Sequence, residues 1–271
     1  MHSYGRRAAP AWVDHPDLVE YYAAHRNRIG DLYASERRFL PWLAIRTESV
    51  LDVGCGAGGF VEIWRTCRPS IRYTGVDISP PLVEAAQRAH PEQDFLVADC
   101  LAGLPLKDGY ADAVAALGWL HWEKRYAAAL SELWRVAGRF LFFDLRLRDA
   151  SGTDTTGSQR LALTGDWDGR TTVPYICLGW PRVAELLLSL KPARILGHGY
   201  WGQPAATVTG VNEQVCFATF VLERPSPGRR SRAEVALDLP LGWPERLEPA
   251  VHLRDAAALA ELLGEAGKGV S

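Results

Sequence analysis

The sequence contains no apolar run long enough to cross a bilayer. A membrane-spanning helix needs about 18 or more consecutive apolar residues, and the opening residues 1–7 lack the apolar stretch of a signal peptide. Hydrophobic residues make up 48% and charged residues 23% of the 271 positions, as in globular proteins. We therefore expect a cytoplasmic globular protein without a membrane partner.

Charge and cysteine content exclude further classes. The net charge of −2 gives no general attraction to a phosphate backbone, which argues against nucleic acid as a partner. The cysteines are scattered without a CxxC pair, so the sequence predicts neither a disulfide framework nor a zinc site, and we expect no metal. They are Cys55, Cys67, Cys100, Cys177 and Cys216.

Short apolar strands alternate with helices in the first half of the chain. Two helices are predicted over 17–43, followed by a strand, Ser49–Val53, a glycine cluster, Gly54–Gly59, and a helix, Phe60–Cys67. Further strands are predicted at 73–76, 95–97, 111–117 and 139–145. This alternation predicts a parallel sheet covered by helices on both faces.

The pattern changes after Asp149. A polar loop and a predicted hairpin turn at Asp168-Gly169 indicate an insertion over 150–180, followed by a helix at 181–190 and strands at 193–200 and 215–223. We predict one domain over 1–224, with the insertion as a small cap. Residues 225–271 are predicted to be a tail with one short helix, at 254–263.

The glycine cluster between the first strand and its helix predicts close approach of the backbone to a ligand. Read literally, it satisfies the GxGxxG pattern of dinucleotide-binding enzymes, with Asp77 about 20 residues on as a ribose partner. A nicotinamide-dependent oxidoreductase is therefore one alternative. Asp52, two residues before Gly54, would repel a pyrophosphate and favours a ligand with a cationic end.

Three predicted strands end in a carboxylate: Asp52, Asp77 and Asp99. The carboxyl ends of parallel strands meet at one edge of a sheet, where ligands of open α/β sheets bind. A single aspartate at a strand end more commonly caps the next helix. The spacing of all three favours a shared ligand.

The segment Leu51-Asp-Val-Gly-Cys-Gly-Ala-Gly58 resembles the first motif of class I S-adenosylmethionine-dependent methyltransferases. The run from Asp99 through Leu104-Pro105 to Asp108-Gly-Tyr-Ala-Asp112 is similar to their small-molecule members. The resemblance implies an α/β fold: a Rossmann-like, doubly wound, mostly parallel seven-stranded sheet with an antiparallel last strand, N-terminal helices and a small cap insertion. One departure is Ala137-Gly138, where the family has a Pro-Gly-Gly turn.

The resemblance also implies the cofactor, S-adenosylmethionine, with S-adenosylhomocysteine as product. Gly54, Gly56 and Gly58 would pass it close to the backbone, Asp77 would hold the ribose hydroxyls, and Asp99 would meet the adenine amino group. Asp52 would face the methionine ammonium. Neighbours assigned to the same cofactor site are Cys55, Ile78, Cys100 and Leu117.

Candidates for the acceptor side are less distinctive. His121, between two tryptophans, is a candidate general base but is equally compatible with packing. Asp144, in the fifth strand, is a second catalytic candidate, and pairing with Arg146 or Arg148 is its alternative role. Predicted substrate contacts, several of which also suit simple helix packing, are Tyr21, Tyr22, Arg26, Trp119, Trp122 and Tyr200.

We predict methyl transfer to an oxygen, nitrogen or carbon of a small molecule in natural-product or intermediary metabolism, by a monomer or homodimer. The fourth strand runs into Leu117-Gly-Trp-Leu120 and not into the (D/N)PP(Y/F) motif of amide and base methylation, and no catalytic Pro-Cys pair is evident. DNA methylation is therefore disfavoured. Besides the oxidoreductase, a non-catalytic S-adenosylmethionine-binding module remains open, since no residue is indispensable for catalysis.

Overall fold

The computed structural model of the protein describes residues 12, 18–149, 154–161, 171–226, 228 and 232–264. The first half of the described chain alternates strands and helices after two leading helices. Its elements are α1 (Leu18–Ala24), α2 (Ala34–Ala44), β1 (Ser49–Val53), α3 (Phe60–Cys67), β2 (Arg72–Asp77), α4 (Pro80–Ala89), β3 (Asp94–Val97), β4 (Ala111–Ala116), α5 (Tyr126–Val136) and β5 (Ala137–Arg148).

The second half adds strands of both directions. Its elements are β6 (Thr155–Arg160), β7 (Thr172–Gly179), α6 (Trp180–Ser189), β8 (Arg194–Gly202), β9 (Val208–Thr209), β10 (Val215–Glu223), β11 (Ala233–Asp238), β12 (Val251–Arg254) and α7 (Ala256–Leu263). The predicted turn at Asp168-Gly169 lies outside the described residues.

The main sheet has the strand order β12-β11-β8-β10-β5-β4-β1-β2-β3. Strands β1 to β5 are parallel, and β10 runs antiparallel to both β5 and β8, as predicted. Because β1 pairs with β2 on one side and β4 on the other, the order reverses at β1. Such a reversal opens a crevice at the carboxyl ends of the strands, where ligands bind.

Alternating side chains of the strands fill a core on each face of the sheet. In β1, Leu51 and Val53 belong to one cluster and Val50 to the other. Helices α5 and α6 cover the first face, and helices α2, α3, α4 and α7 cover the second. Successive side chains of a strand point to opposite faces of the sheet, and a parallel sheet covered by helices on both faces buries both sets.

The predicted seven-stranded sheet was too small, since the described residues form twelve strands. The insertion supplies β6 and β7, which pair with each other and, through β9 and β5, with the rest of the chain. Beyond residue 225, β11 pairs with β8 and β12 pairs with β11. Val235 and Ala236 are both fully buried, so the segment extends the sheet at its edge.

Two boundaries differ from the sequence prediction. Strand β5 continues to Arg148, which puts Asp144 inside the strand and not near its end. The last helix begins at Ala256 because Asp255 accepts a hydrogen bond from the N–H of Ala258 and so caps it. None of the described helices is both long and apolar enough to span a bilayer.

The role of α7 in the core gives a stability prediction. Leu259 on α7 is fully buried, so Leu259→Ala should lower the free energy of unfolding by about 2–5 kcal/mol through lost burial and a cavity. Leu253→Ala, on the neighbouring strand β12, removes a side chain that is 43% exposed and should change it by less than about 0.5 kcal/mol. Urea unfolding of both variants measures the difference; equal small losses would mean that α7 does not contribute to the core.

Candidate functional site

A cavity of about 470 Å³ opens at the carboxyl ends of β1 to β4. Segments 53–57, 76–78, 98–101 and 117–119, which follow these four strands, form one side of it. The opposite side comes from the N-terminal helices, the 3-10 turn at 120–122, and strands β5, β7 and β10. The cavity therefore lies where the reversal of strand order puts it, and its volume is that of a ligand site.

The glycine loop after β1 forms the floor of the cavity through Gly54, Gly56 and Gly59, whereas Gly58, predicted to contact the cofactor, does not line it and packs against Ala86 of α4. Gly54, Gly56 and Gly58 have φ of +82°, +55° and +84°, a region that other residues rarely adopt. A Cβ on Gly54 would lie 2.6 Å from Cδ1 of Trp119, whose Nε1 donates to the carbonyl of Val53 over 2.7 Å. Trp119 therefore packs directly on the loop, and its contacts lie on the cofactor side of the predicted site.

Asp77, at the end of β2, ties the loop to the next helix. One carboxylate oxygen accepts from the N–H of Gly56 and the other from the N–H of Ser79, each over 2.9 Å. Burial raises the pKa of Asp77, and the nearby backbone N–H groups of Ser79, Gly56 and Ile78 oppose that rise. Asp77 and Ile78 both line the cavity, as the sequence predicts.

Asp99, at the end of β3, lines the cavity together with Cys100. Its Oδ1 accepts from the N–H of Leu101 over 2.8 Å and caps a short 3-10 turn, Cys100–Ala102. Its other oxygen has no hydrogen bond to a described residue. Capping, the alternative role of a strand-end aspartate, therefore uses one of the two carboxylate oxygens of Asp99.

Asp52 has a different environment from the one predicted. The residues on the cavity wall do not include it, and its carboxylate accepts a hydrogen bond from the hydroxyl of Tyr73 on β2. Burial raises the pKa of Asp52 to about 6, while the Tyr73 hydroxyl and Arg26 lower it. The structure therefore gives no contact of Asp52 with the cavity, and contact with a methionine ammonium stays a prediction.

His121 lies on the opposite wall. It is 5% exposed, with its ring 4.5 Å from that of Trp122 and 5.4 Å from that of Tyr175. Its Nδ1 is buried and has no hydrogen-bond partner among the described residues. Burial, and then the guanidinium groups of Arg146 and Arg26, lower its pKa well below the ordinary value. A neutral imidazole beside the cavity is compatible with a base.

Asp144 is not on the cavity wall, whereas its partner Arg146 is. One oxygen of Asp144 accepts from the N–H of Gly118, and the other accepts from Nη1 of Arg146 over 2.6 Å. Both side chains are under 5% exposed. Asp144 therefore connects the loop after β4 to Arg146, an arrangement that favours positioning over the predicted catalytic role.

A second buried ion pair comes from the N-terminal helices. Arg26 donates to both oxygens of Glu36 over 2.7 Å, and Glu36 is fully buried. Arg26 has a φ of +58°, strained for a residue with a side chain, and its guanidinium lies 5.1 Å from the rings of both Tyr33 and Phe60. Of these four residues, Arg26, Tyr33 and Phe60 line the cavity, and Glu36 does not.

Most of the predicted substrate contacts reach the cavity. Tyr21, Tyr22 and Trp122 line it, and Trp122 stacks on Trp12 with 4.7 Å between ring centroids. Tyr200 does not line it but stacks on Phe217, 5.7 Å away, which does.

Several wall residues were missed by the sequence prediction. Arg146, Tyr175 and Phe217 come from three strands that meet only in the folded sheet. The one available signal was charge at alternate positions, Asp144 and Arg146, inside an otherwise apolar strand. Among the described side chains, no group of three or more His, Cys, Asp and Glu residues is arranged to hold a metal ion.

Comparison with known proteins gives a match for the part of the chain that contains the glycine loop. The family model described as a methyltransferase domain matches residues 51–141, from β1 to β5. Residues 51–141 of this chain are thus similar to a methyltransferase domain. The match covers the glycine loop and disfavours the oxidoreductase alternative.

Two curated relatives match part of the chain. A malonyl-(acyl-carrier protein) O-methyltransferase of Serratia marcescens is 33% identical over 89 residues, covering 33% of this chain and 34% of the relative. A trans-aconitate 2-methyltransferase of Klebsiella pneumoniae is 32% identical over 78 residues, covering 29% of this chain and 30% of the relative. The chain thus matches about a third of the length of these relatives.

A solved structure supports the fold beyond the methyltransferase domain. A Haemonchus contortus phospholethanolamine N-methyltransferase, solved with phosphomonomethylethanolamine and S-adenosylhomocysteine, aligns with a TM-score of 0.54 at 14% identity. The alignment covers 83% of this chain and 61% of that one. At this identity the likeness concerns the fold alone.

The contact between Gly54 and Trp119 gives a prediction with a matched control. Gly54→Ala and Gly103→Ala both put a side chain at a φ of +82° or more, but Gly103 has nothing within 4 Å of the added Cβ. Each should lose about 1–2 kcal/mol of unfolding free energy to backbone strain. Gly54→Ala should lose about 1–3 kcal/mol more, because Trp119 must move. Equal losses in urea unfolding would contradict the close packing of Trp119 on the loop.

Asp52 gives a pH prediction. Its pKa is higher folded, about 6, than the ordinary 3.8, so the folded state holds more protons between those values and loses stability as pH rises. Asp52→Asn removes this loss, so the stability of the wild type relative to Asp52→Asn should fall by about 1–3 kcal/mol from pH 4 to pH 7. Asp94→Asn, at an exposed carboxylate, is the control. A difference that does not change with pH would show that Asp52 ionises normally.

Proposed function

We propose that this protein transfers the methyl group of S-adenosylmethionine to a small molecule bound in the cavity. The observation that carries the proposal is the buried carboxylate of Asp77, which lines the cavity and whose hydrogen bonds from described residues both come from backbone N–H groups. A carboxylate can accept about four hydrogen bonds, so capacity remains for the two hydroxyls of a ribose.

The other cavity residues fit the same cofactor. Asp99 has an oxygen without a partner among the described residues, suited to an adenine amino group. Two of the positive-φ glycines lie against cavity residues: a Cβ on Gly54 would meet Trp119, and a Cβ on Gly56 would meet Tyr22. Trp119 and Leu117 border this part of the cavity and supply apolar surface.

The bound cofactor supplies a methyl group that is already activated on a sulfonium. The chain's own task is to align the acceptor with that methyl group and to exclude water. Tyr21 and Tyr22 on α1, together with Trp122 and Tyr175, line the cavity with aromatic rings. These side chains are suited to keeping water from the reacting groups.

His121 is the side chain best suited to a proton transfer. Its lowered pKa keeps the ring neutral at neutral pH, and its Nδ1 has no partner in the described part of the chain. A neutral imidazole takes a proton from a hydroxyl or amine acceptor at such a nitrogen. With an acceptor that is already an anion, no base is needed, and His121 would only shape the wall.

A small-molecule acceptor fits the enclosure of the site. The strands of the insertion, β6 and β7, contribute Gln159 and residues 173–175 to the wall, as an acceptor-side cap would. The relatives reported above act on malonyl-acyl-carrier protein and trans-aconitate by their names. Natural-product or intermediary metabolism is the context we propose.

Cofactor binding tests the proposal. Calorimetric titration of the wild type with S-adenosylmethionine and S-adenosylhomocysteine should give micromolar dissociation constants. Asp77→Asn keeps the shape but removes the charge, and should weaken binding by about 1–3 kcal/mol, the worth of charge-assisted hydrogen bonds. Asp94→Asn, at the opposite end of the neighbouring strand β3, is the control and should bind normally.

Three outcomes would contradict parts of the proposal. Folded wild type that binds neither compound has no such cofactor, and binding of NADH in its place would restore the oxidoreductase alternative. Tight binding without turnover across a broad panel of small molecules would favour the non-catalytic module.

A further inference from the structure

The wall formed by β5, β7 and β10 contains a buried cation with unused hydrogen-bonding capacity. Arg146 is 3% exposed and its guanidinium lies 4.4 Å from the ring centroid of Phe217. Its Nη1 donates to Asp144 and to the carbonyl of Leu145. Burial raises the pKa of Tyr175, and a further side-chain hydrogen bond with Arg146 opposes that rise. Nε of Arg146 is buried with no partner in the described part of the chain.

An unpartnered N–H on a buried cation is costly. Leaving a buried donor without an acceptor costs about 1–3 kcal/mol, and more for a charged group. A ligand that supplies the acceptor recovers this free energy, so the orphan donor of Arg146 indicates a ligand group.

The charges around this wall are arranged asymmetrically. Arg26 and Arg146 line the cavity, whereas their carboxylate partners, Glu36 and Asp144, do not. Both guanidinium groups flank one ring, that of Tyr33, at 5.1 and 5.6 Å from its centroid. A ligand beside Tyr33 therefore meets these guanidinium groups and not their carboxylates, an arrangement suited to an anion.

The surroundings restrict the kind of anion. Trp122, Val173, Tyr175 and Phe217 line the same part of the cavity, so the rest of the ligand lies against apolar and aromatic surface. A guanidinium is planar and matches the two oxygens of a carboxylate. Nε of Arg146 and Nε of Arg26 are both buried without a described partner, so each guanidinium has a donor left for a carboxylate oxygen.

We propose that the methyl acceptor is a carboxylic acid with an apolar body, and that Arg146 binds its carboxylate from the cavity wall. This inference rests on the proposed methyl transfer. Arg146 is then the residue that determines specificity for an acid, and Asp144 is its positioning residue.

Matched pairs of acids and amides test the inference. The wild type is first saturated with S-adenosylhomocysteine and then titrated calorimetrically with trans-cinnamate, octanoate and benzoate, and with the carboxamide of each. At least one acid should bind about ten-fold or more tightly than its amide, as expected for a charge-assisted bond to a buried cation. Replacement of the charged oxygen by an amide leaves the body unchanged, so a merely structural Arg146 would give no preference.

Variants then assign the preference to Arg146. Arg146→Gln should abolish the ten-fold preference and leave affinity for S-adenosylhomocysteine within about two-fold. Arg146→Lys, which keeps the charge but loses the planar fork, should retain a weaker preference. Arg148→Gln is the control, because Arg148 is two residues further along β5, pairs with Glu213 and does not line the cavity; it should behave as the wild type.

The outcomes separate this inference from the function on which it rests. Wild type that does not bind S-adenosylhomocysteine contradicts the proposed function, and this is measured before any acid is added. Cofactor-loaded wild type that binds amides as tightly as acids, or binds none of the three acids, overturns the acid inference alone. A preference that survives in Arg146→Gln overturns the role of Arg146. The first two outcomes need only the wild type and so do not depend on how a variant folds.

Discussion

The site depends on one buried carboxylate, that of Asp77. It joins the glycine loop, through Gly56, to the start of α4, through Ser79. A carboxylate so deeply buried is stable only if donors surround it, and its raised pKa shows that the backbone donors do not fully compensate its burial. Ribose hydroxyls could donate to the remaining lone pairs of the carboxylate. The residue that holds the glycine loop in place is therefore also the one that would bind the proposed cofactor.

The opposite wall of the cavity contains cations, in contrast to the carboxylates beside the glycine loop. Arg146 is a buried cation and Arg26 a half-buried one, and their carboxylate partners do not line the cavity. Acidic groups thus line the part of the cavity formed by β2 and β3, and basic groups line the part formed by α1 and β5. A cavity with this charge distribution would place two ligands side by side, with a ribose-bearing cofactor at the acidic part and an acid at the basic part.

The glycine loop and strands β1 to β5 were predictable because their signals are local. Apolar runs bounded by glycine and aspartate define Ser49–Val53 and Phe60–Cys67, and both bounds agree with the structure. The strands beyond residue 225 were not predictable, since β11 pairs with β8 across a long stretch of sequence and lacks a strong strand pattern of its own.

The orientation of side chains between neighbouring strands was also not predictable from the sequence. Asp52 follows two apolar residues of a strand and was expected to face the ligand, but in β1 it meets the hydroxyl of Tyr73 from the neighbouring strand. Arg146 was noticed only as a partner of Asp144, because its position on the cavity wall depends on the pairing of β5 with β7 and β10. Such contacts between strands are absent from any local pattern.

A crystal structure with S-adenosylhomocysteine tests whether Asp77 binds the cofactor. We expect the ribose hydroxyls within hydrogen-bond distance of the Asp77 carboxylate, the adenine beside Asp99, and the sulfur facing the wall that contains His121 and Arg146. A ligand bound elsewhere, or with its ribose away from Asp77, would contradict the proposed role of Asp77.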